Sequence, residues 1–235
     1  MLAAMTAAAI VTGSNRGLGR ALVDQLLARG CSRVVATARS LDAATDLRSL
    51  AERDQRVVLR DLDVTCPASI ERFAASLRTD GLPVDILVNN AGIGDVEGQT
   101  ILSMPMDDIR LQVETHALGP LHVVRELTGL LRSGSVVVNV SSVVSGMHRI
   151  TADYAGYAQA KALQNAITRA LARTLEDRGV IVFALHPGWV ATDMGGPGAP
   201  LRPDDVARGM ADLILSATAA DADTFRDHTG ATATW

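Results

Sequence analysis

Three residues of this chain have types and spacing that could do proton chemistry together: Ser142, Tyr157 and Lys161. Ser142 closes the run from Val136 to Ser142, an apolar stretch bounded by small polar residues, which suits a strand buried on both faces. From Ala155 onward the pattern turns helical, with Leu163, Ala166, Ile167, Ala170 and Leu171 at helix spacing. Tyr157 and Lys161 then stand one turn apart on one helical face. A hydroxyl at a strand end, a phenol and an ammonium could then converge on one point. Among 22 basic residues Lys161 is the only lysine, and the wide planar fork of arginine is a poor substitute for a compact ammonium. A phenol titrating near ~10 is a sluggish acid or base at neutral pH, and a nearby cation favours its phenolate. Tyr154 is the rival phenol, but four residues beyond it stands Ala158. The bland alternative is a surface helix that carries Tyr and Lys by coincidence.

Such a constellation needs a scaffold, and the pattern supplies one. Apolar runs at Ala8 to Thr12, Arg33 to Ala38, Val57 to Leu59, Ile86 to Asn89, Val136 to Val140 and Val180 to Leu185 alternate with helical segments. Pro203 to Ser216 reads as a last helix and Phe225 to His228 as an edge strand. The alternation predicts an α/β fold, a Rossmann-type doubly wound parallel sheet of about seven strands, in one domain spanning 1–235. Ligands bind such sheets beyond the C-terminal strand ends, where strand order reverses.

Composition narrows the functions. With 48% hydrophobic residues, a net charge of −4 and no basic block, the chain is globular and unsuited to nucleic acid or an anionic membrane. Cys31 and Cys66 suggest neither a disulfide framework nor a metal cluster, so a reduced, cytoplasmic location is expected. Met1 to Ala9 lacks a basic leader, no apolar run approaches membrane-spanning length, and Met5 could equally be the start.

The first strand ends in Thr12, Gly13, Ser14, Asn15, Arg16, Gly17, Leu18 and Gly19, followed by a helix carrying Ala21, Leu22, Leu26 and Leu27. Glycines there permit a tight turn and close backbone approach to a pyrophosphate, and the helix N-terminus offers its N–H groups. A structural tight turn is the alternative. The second strand ends in Ala38 and Arg39, with no carboxylate where an NAD site would place one on the ribose. Arg16 and Arg39 therefore favour NADP(H) over NAD(H), unless both are merely solvated.

With these motifs in order, the chain resembles the short-chain dehydrogenase/reductase family, and its pair of arginines is similar to that of NADPH-dependent carbonyl reductases. The glycine pattern is matched by Thr12 to Gly19 and the Tyr-x-x-x-Lys site by Tyr157 and Lys161. The resemblance implies that Asp63 and Val64 border adenine, although Asp63 with Thr65 could instead cap a helix starting near Pro67. It implies that Asn90, Ala91 and Gly92 border the adenine ribose, with Asn89 beside them. It assigns Ser142 rather than Ser141 to catalysis, and gives Lys161 the nicotinamide ribose as well. It places Pro187, Gly188, Val190 and Thr192 at the carboxamide. His116 is a departure: relatives carry asparagine here, whose carbonyl holds a water linking the lysine to solvent. His116 could preserve that main-chain role and add a titratable group, weaken the relay, or simply pack.

The resemblance implies hydride transfer between NADP(H) and a carbonyl or alcohol, with Tyr157 as general acid and Ser142 on the oxygen. A Gly- and Pro-rich stretch near 193–202 reads as a mobile substrate loop over an open pocket. Met147, His148, Ile150, Tyr154, Trp189 and Met194 are candidate walls. Relatives often form two-fold dimers, so a homo-oligomer, dimer or tetramer, is expected. A cofactor-binding regulatory or signalling protein of the same fold is the other reading.

Overall fold

The computed structural model describes residues 7–95, 98–151 and 154–235; Met1 and Met5 lie outside them. Seven strands, β1 (Ala8–Val11), β2 (Arg33–Ala38), β3 (Val57–Asp61), β4 (Val84–Asn89), β5 (Leu131–Val140), β6 (Ile181–His186) and β7 (Phe225–Asp227), form one sheet in the order β3-β2-β1-β4-β5-β6-β7. Every neighbouring pair is parallel. The helices are α1 (Gly17–Ala28), α2 (Thr45–Arg53), α3 (Pro67–Thr79), α4 (Met106–Val113), α5 (Gly119–Leu127), α6 (Tyr157–Thr174) and α7 (Pro203–Ser216).

Alternation along the strands divides the core between the two faces. Ala9, Val11, Val34 and Val138 join Leu22 and Leu26 of α1, Leu47 of α2 and Met210 of α7. Ile10, Val35 and Val137 join Phe73 of α3, Leu127 of α5 and Ala172 of α6. With both faces covered, the strands read as unbroken Val/Ile/Leu runs, which is why the sequence revealed them. The chain crosses from β1 outward to β3 and returns to β4 on the other side of β1. That reversal opens a crevice at the C-terminal ends of β1 and β4.

Some elements differ from expectation. The catalytic-candidate helix starts at Tyr157 rather than Ala155, and β5 reaches back to Leu131. The edge strand stops at Asp227, short of His228. Between α4 and α5 the helix widens into a π turn, Glu114–Leu118, carrying His116. Pro120, just inside α5, has no N–H to return to that turn. Gly119 lets the same turn press on β3's exit, since a Cβ there would lie 2.3 Å from the Val64 carbonyl oxygen. Among the described residues no helix is long and apolar enough to cross a membrane.

Candidate active site

A cleft of about 1090 Å³ opens at the C-terminal strand ends. At one end lies the turn between β1 and α1. Gly13 and Gly17 adopt φ of 65° and 55°, and a Cβ on Gly19 would fall 2.3 Å from the Gly13 carbonyl oxygen, so no side chain fits there. Gly13, Asn15, Arg16, Gly17, Leu18 and Gly19 line the cleft. Ser14 does not: its hydroxyl donates to Val11 O at 2.6 Å and its N–H to Thr37 O at 2.7 Å, which pins the turn from beneath. The Thr12 hydroxyl accepts from the N–H groups of Asn90 and Ala91, and Asn90 Nδ2 donates to the carbonyls of Thr12 and Gly13. Asn90 therefore staples the glycine turn to the end of β4 while also facing the cleft.

At the outer end stand Ala38, Arg39, Asp63 and Val64. Arg39 is exposed, with no ion pair or hydrogen bond among the described residues. Arg16 is engaged: its guanidinium meets Asp193 at 2.7 Å across the cleft. The two arginines thus differ in their surroundings, one paired across the cleft and the other exposed to solvent. Asp63 does not cap α3, whose N-cap is Cys66; its carboxylate instead accepts from the N–H and hydroxyl of Thr65 in a local turn.

Ser142, Tyr157 and Lys161 come together at the inner end. Ser142 sits where β5 gives way to a short 3-10 turn, Val143–Ser145, and its Oγ accepts from Val144 N at 3.4 Å. Ser141 points elsewhere, donating to Asn165 at 2.6 Å. Lys161 Nζ, 4% exposed, donates to Val140 O at 2.6 Å and Gln164 Oε1 at 3.1 Å, and lies 5.6 Å from the centre of the Tyr157 ring. Burial lowers Lys161 to about 7. Burial also raises Tyr157 to about 12, against the downward pull of the Ser142 side chain. In the protein alone, desolvation outweighs the expected help from the lysine.

His116 closes this end from the π turn, edge-on to Tyr157 with ring centres 5.1 Å apart. Its Nε2 lies 2.8 Å from Ile93 O and 3.3 Å from Ile93 N, so it serves the Ile93 backbone in either tautomer. Burial, then the Lys161 charge, hold its pKa well below the usual imidazole range. Both causes favour the neutral imidazole. A Cβ on Gly92 would lie 2.7 Å from His116 Cε1; the glycine and the histidine share one space.

Sequence reasoning missed Asp95 and Gln112. The Asp95 carboxylate accepts from Tyr157 N at 3.0 and 3.2 Å, from Gly156 N at 3.3 Å and from Gln112 Nε2 at 3.1 Å. Nothing in chain order links Asp95 to a helix that begins 62 residues later.

On the far wall, Pro187, Gly188, Val190 and Thr192 line the cleft after β6. The stretch near 193–202 carries hydrogen bonds of its own and to the segment after β6. Trp189 Nε1 donates to Gly195 O at 2.7 Å, Ala191 N to Leu201 O at 2.8 Å and Gly196 N to Thr192 O at 2.8 Å. Of the six candidate walls, Tyr154, Trp189 and Met194 line the cleft, and Met147, His148 and Ile150 do not.

A family model described as short chain dehydrogenase matches residues 7–200. The chain is 34% identical over 189 residues to the 3-oxoacyl-(acyl-carrier-protein) reductase FabG of Salmonella typhimurium, covering 79% of this chain and 74% of the relative. It is 35% identical over 174 residues to C-signal of Myxococcus xanthus, covering 69% of this chain and 98% of that one. The structure superposes on the NADPH-bound carbonyl reductase from chicken fatty liver with a TM-score of 0.91 and 30% identity, over 98% and 99% of the two chains.

Proposed function

This chain belongs to the short-chain dehydrogenase family, and within it we propose an NADP(H)-dependent oxidoreductase that reduces a ketone or aldehyde to an alcohol, or runs the reverse. The observation that carries this reading is the meeting of Ser142, Tyr157 and Lys161 at one end of a cleft whose other end is a glycine cradle. That cradle fits a dinucleotide: Gly13, Gly17 and Gly19 leave backbone bare where a pyrophosphate must approach, and the N-terminus of α1 faces the same space. Asp63, Val64, Asn90, Ala91 and Gly92 would border adenosine, and Pro187, Gly188, Val190 and Thr192 the carboxamide. Arg39, without an ion pair or hydrogen bond among the described residues, would take the 2′-phosphate, with Arg16 joining it on release from Asp193. When bound, the nicotinamide supplies the hydride.

The protein's part is position and charge. Ser142 donates a hydrogen bond to the carbonyl oxygen as negative charge grows there, and Tyr157 gives that oxygen its proton. Lys161 stabilises the phenolate left behind and would hold the nicotinamide ribose hydroxyls. His116, neutral and fixed on Ile93, braces the tyrosine ring. The substrate is a small molecule meeting Tyr154, Trp189 and Met194. Exposed Leu118 and Leu163, on the helices beside the cleft, support homo-oligomer formation.

A regulatory or signalling role with little turnover is the second reading, favoured by the similarity to C-signal. Fluorescence titration with NADPH and NADH, followed by absorbance assays on ketones, aldehydes and quinones, separates the two. The reductase reading expects tighter NADPH binding, an Arg39→Ala variant that loses most of that preference, and turnover of at least one carbonyl. Preference for NADH would remove the arginine argument. Tight binding with no turnover across the panel would favour the signalling role.

A further inference from the structure

We propose that Asp95 is the positioning residue for the general acid: from the loop after β4 it holds the first amides of α6 and so fixes where Tyr157 stands. The proposal rests on the reductase reading for its kinetic consequence and on geometry alone for its structural one. Tyr157 is the first residue of its helix, and the first N–H groups of any helix have no partner within it. The preceding residue, Gly156, has no side chain to cap them. Asp95 supplies the missing acceptor, both carboxylate oxygens reaching Tyr157 N at 3.0 and 3.2 Å and one reaching Gly156 N at 3.3 Å. Negative charge at this helix end is also favourable to the peptide dipoles.

The carboxylate is itself held. Gln112 of α4, 2% exposed, donates through Nε2 to Asp95 Oδ1 at 3.1 Å and to Gly94 O at 2.8 Å. Gly156 is packed so closely that a Cβ would meet Met104 Sδ at 2.9 Å. Three segments therefore meet at the start of α6: the exit of β4, helix α4 and the loop before Tyr157. Without this tie the acid would sit on a fraying helix end.

Asp95 also acts on the phenol through charge. The groups around Tyr157 are Lys161 from its own helix, Ser142 from the end of β5, neutral His116 from the π turn, Tyr154 from the preceding loop, and Asp95. Burial is the main cause of the phenol's raised pKa, and the negative charge of Asp95 adds to it, which helps to keep Tyr157 an acid during carbonyl reduction. Neutralising Asp95 must move the alkaline limb of the reductive kcat profile to lower pH, because the phenol then loses its proton more readily.

The test uses the full chain with Asp95→Asn and Asp95→Ala. Asp95→Ala is expected to lower kcat roughly tenfold or more, with NADPH Kd kept within about twofold, because misplacement of a reacting group costs rate rather than cofactor affinity. Asp95→Asn keeps an acceptor oxygen for Tyr157 N; it should regain much of that kcat and show the alkaline limb displaced downward. A purely structural cap would restore kcat in Asp95→Asn without moving the limb. Amide hydrogen exchange at Gly156 and Tyr157 gives a readout independent of turnover, with protection lost in Asp95→Ala and kept in Asp95→Asn. Wild-type kcat or unchanged amide exchange in Asp95→Ala, or an unmoved pH profile in Asp95→Asn, would overturn the proposal. If the wild type binds NADPH but reduces no carbonyl, the reductase reading fails and amide exchange alone decides the role of Asp95.

Discussion

Lys161 and Tyr157 share one site, and burial moves them in opposite directions: the ammonium loses its proton more easily and the phenol less easily. The lysine leaves a mark on stability. Folded Lys161 titrates near 7, whereas its unperturbed value is 10.5, so between these pH values the unfolded chain binds the extra proton. Stability measured without nucleotide should then rise from pH 7 to pH 9, by up to about 1.4 kcal/mol per pH unit. Above pH 9 buried Cys31, raised to about 11, begins to oppose the trend. Urea unfolding at stepped pH checks this, and a Lys161→Met variant should lose the rise; a flat wild-type profile would contradict the burial of the ammonium. The lysine was legible in the sequence because it stands alone among arginines. Its burial was not, because nothing in its local pattern separates a solvated lysine from one roofed by Val140 and Gln164.

At the scale of elements, the exit of β4 and the π turn between α4 and α5 form one unit. Gly92 and His116 occupy a shared space, and the imidazole Nε2 meets the Ile93 backbone, at O or at N according to its tautomer. Gly92→Ala should therefore destabilise by about 1–3 kcal/mol through overpacking. Combined with His116→Ala, which empties that space, part of the loss should return, with a coupling of about 0.5–3 kcal/mol in a double-mutant cycle of unfolding free energies. Additive losses would show that the two do not meet. The strands were readable because burial on both faces writes them as apolar runs, and α7 was bounded by Pro203 and Ser216 as the pattern said. The π turn was hidden, since Pro120 and Gly119 signal an irregularity without its type. The Asp95 tie was hidden for another reason: its partners are remote in the chain.

At the scale of the molecule, the seven-stranded parallel sheet brings residues from 13 to 195 to one cleft. Chain order along the motifs was enough to read this plan, because each cleft-facing motif sits at the end of a recognisable strand. The walls of the substrate end were read poorly. Met147 and Ile150 are apolar and exposed but do not line the cleft, and hydropathy cannot tell a cleft wall from any other exposed side chain. The account as a whole stands on one phenol. The most direct measurement is kcat for NADPH-driven reduction of a carbonyl by the wild type and by Tyr157→Phe, each with its NADPH Kd. The account predicts a loss of at least about a hundredfold in kcat with the Kd nearly unchanged, the scale expected for removing a general acid. Turnover retained in Tyr157→Phe would contradict it.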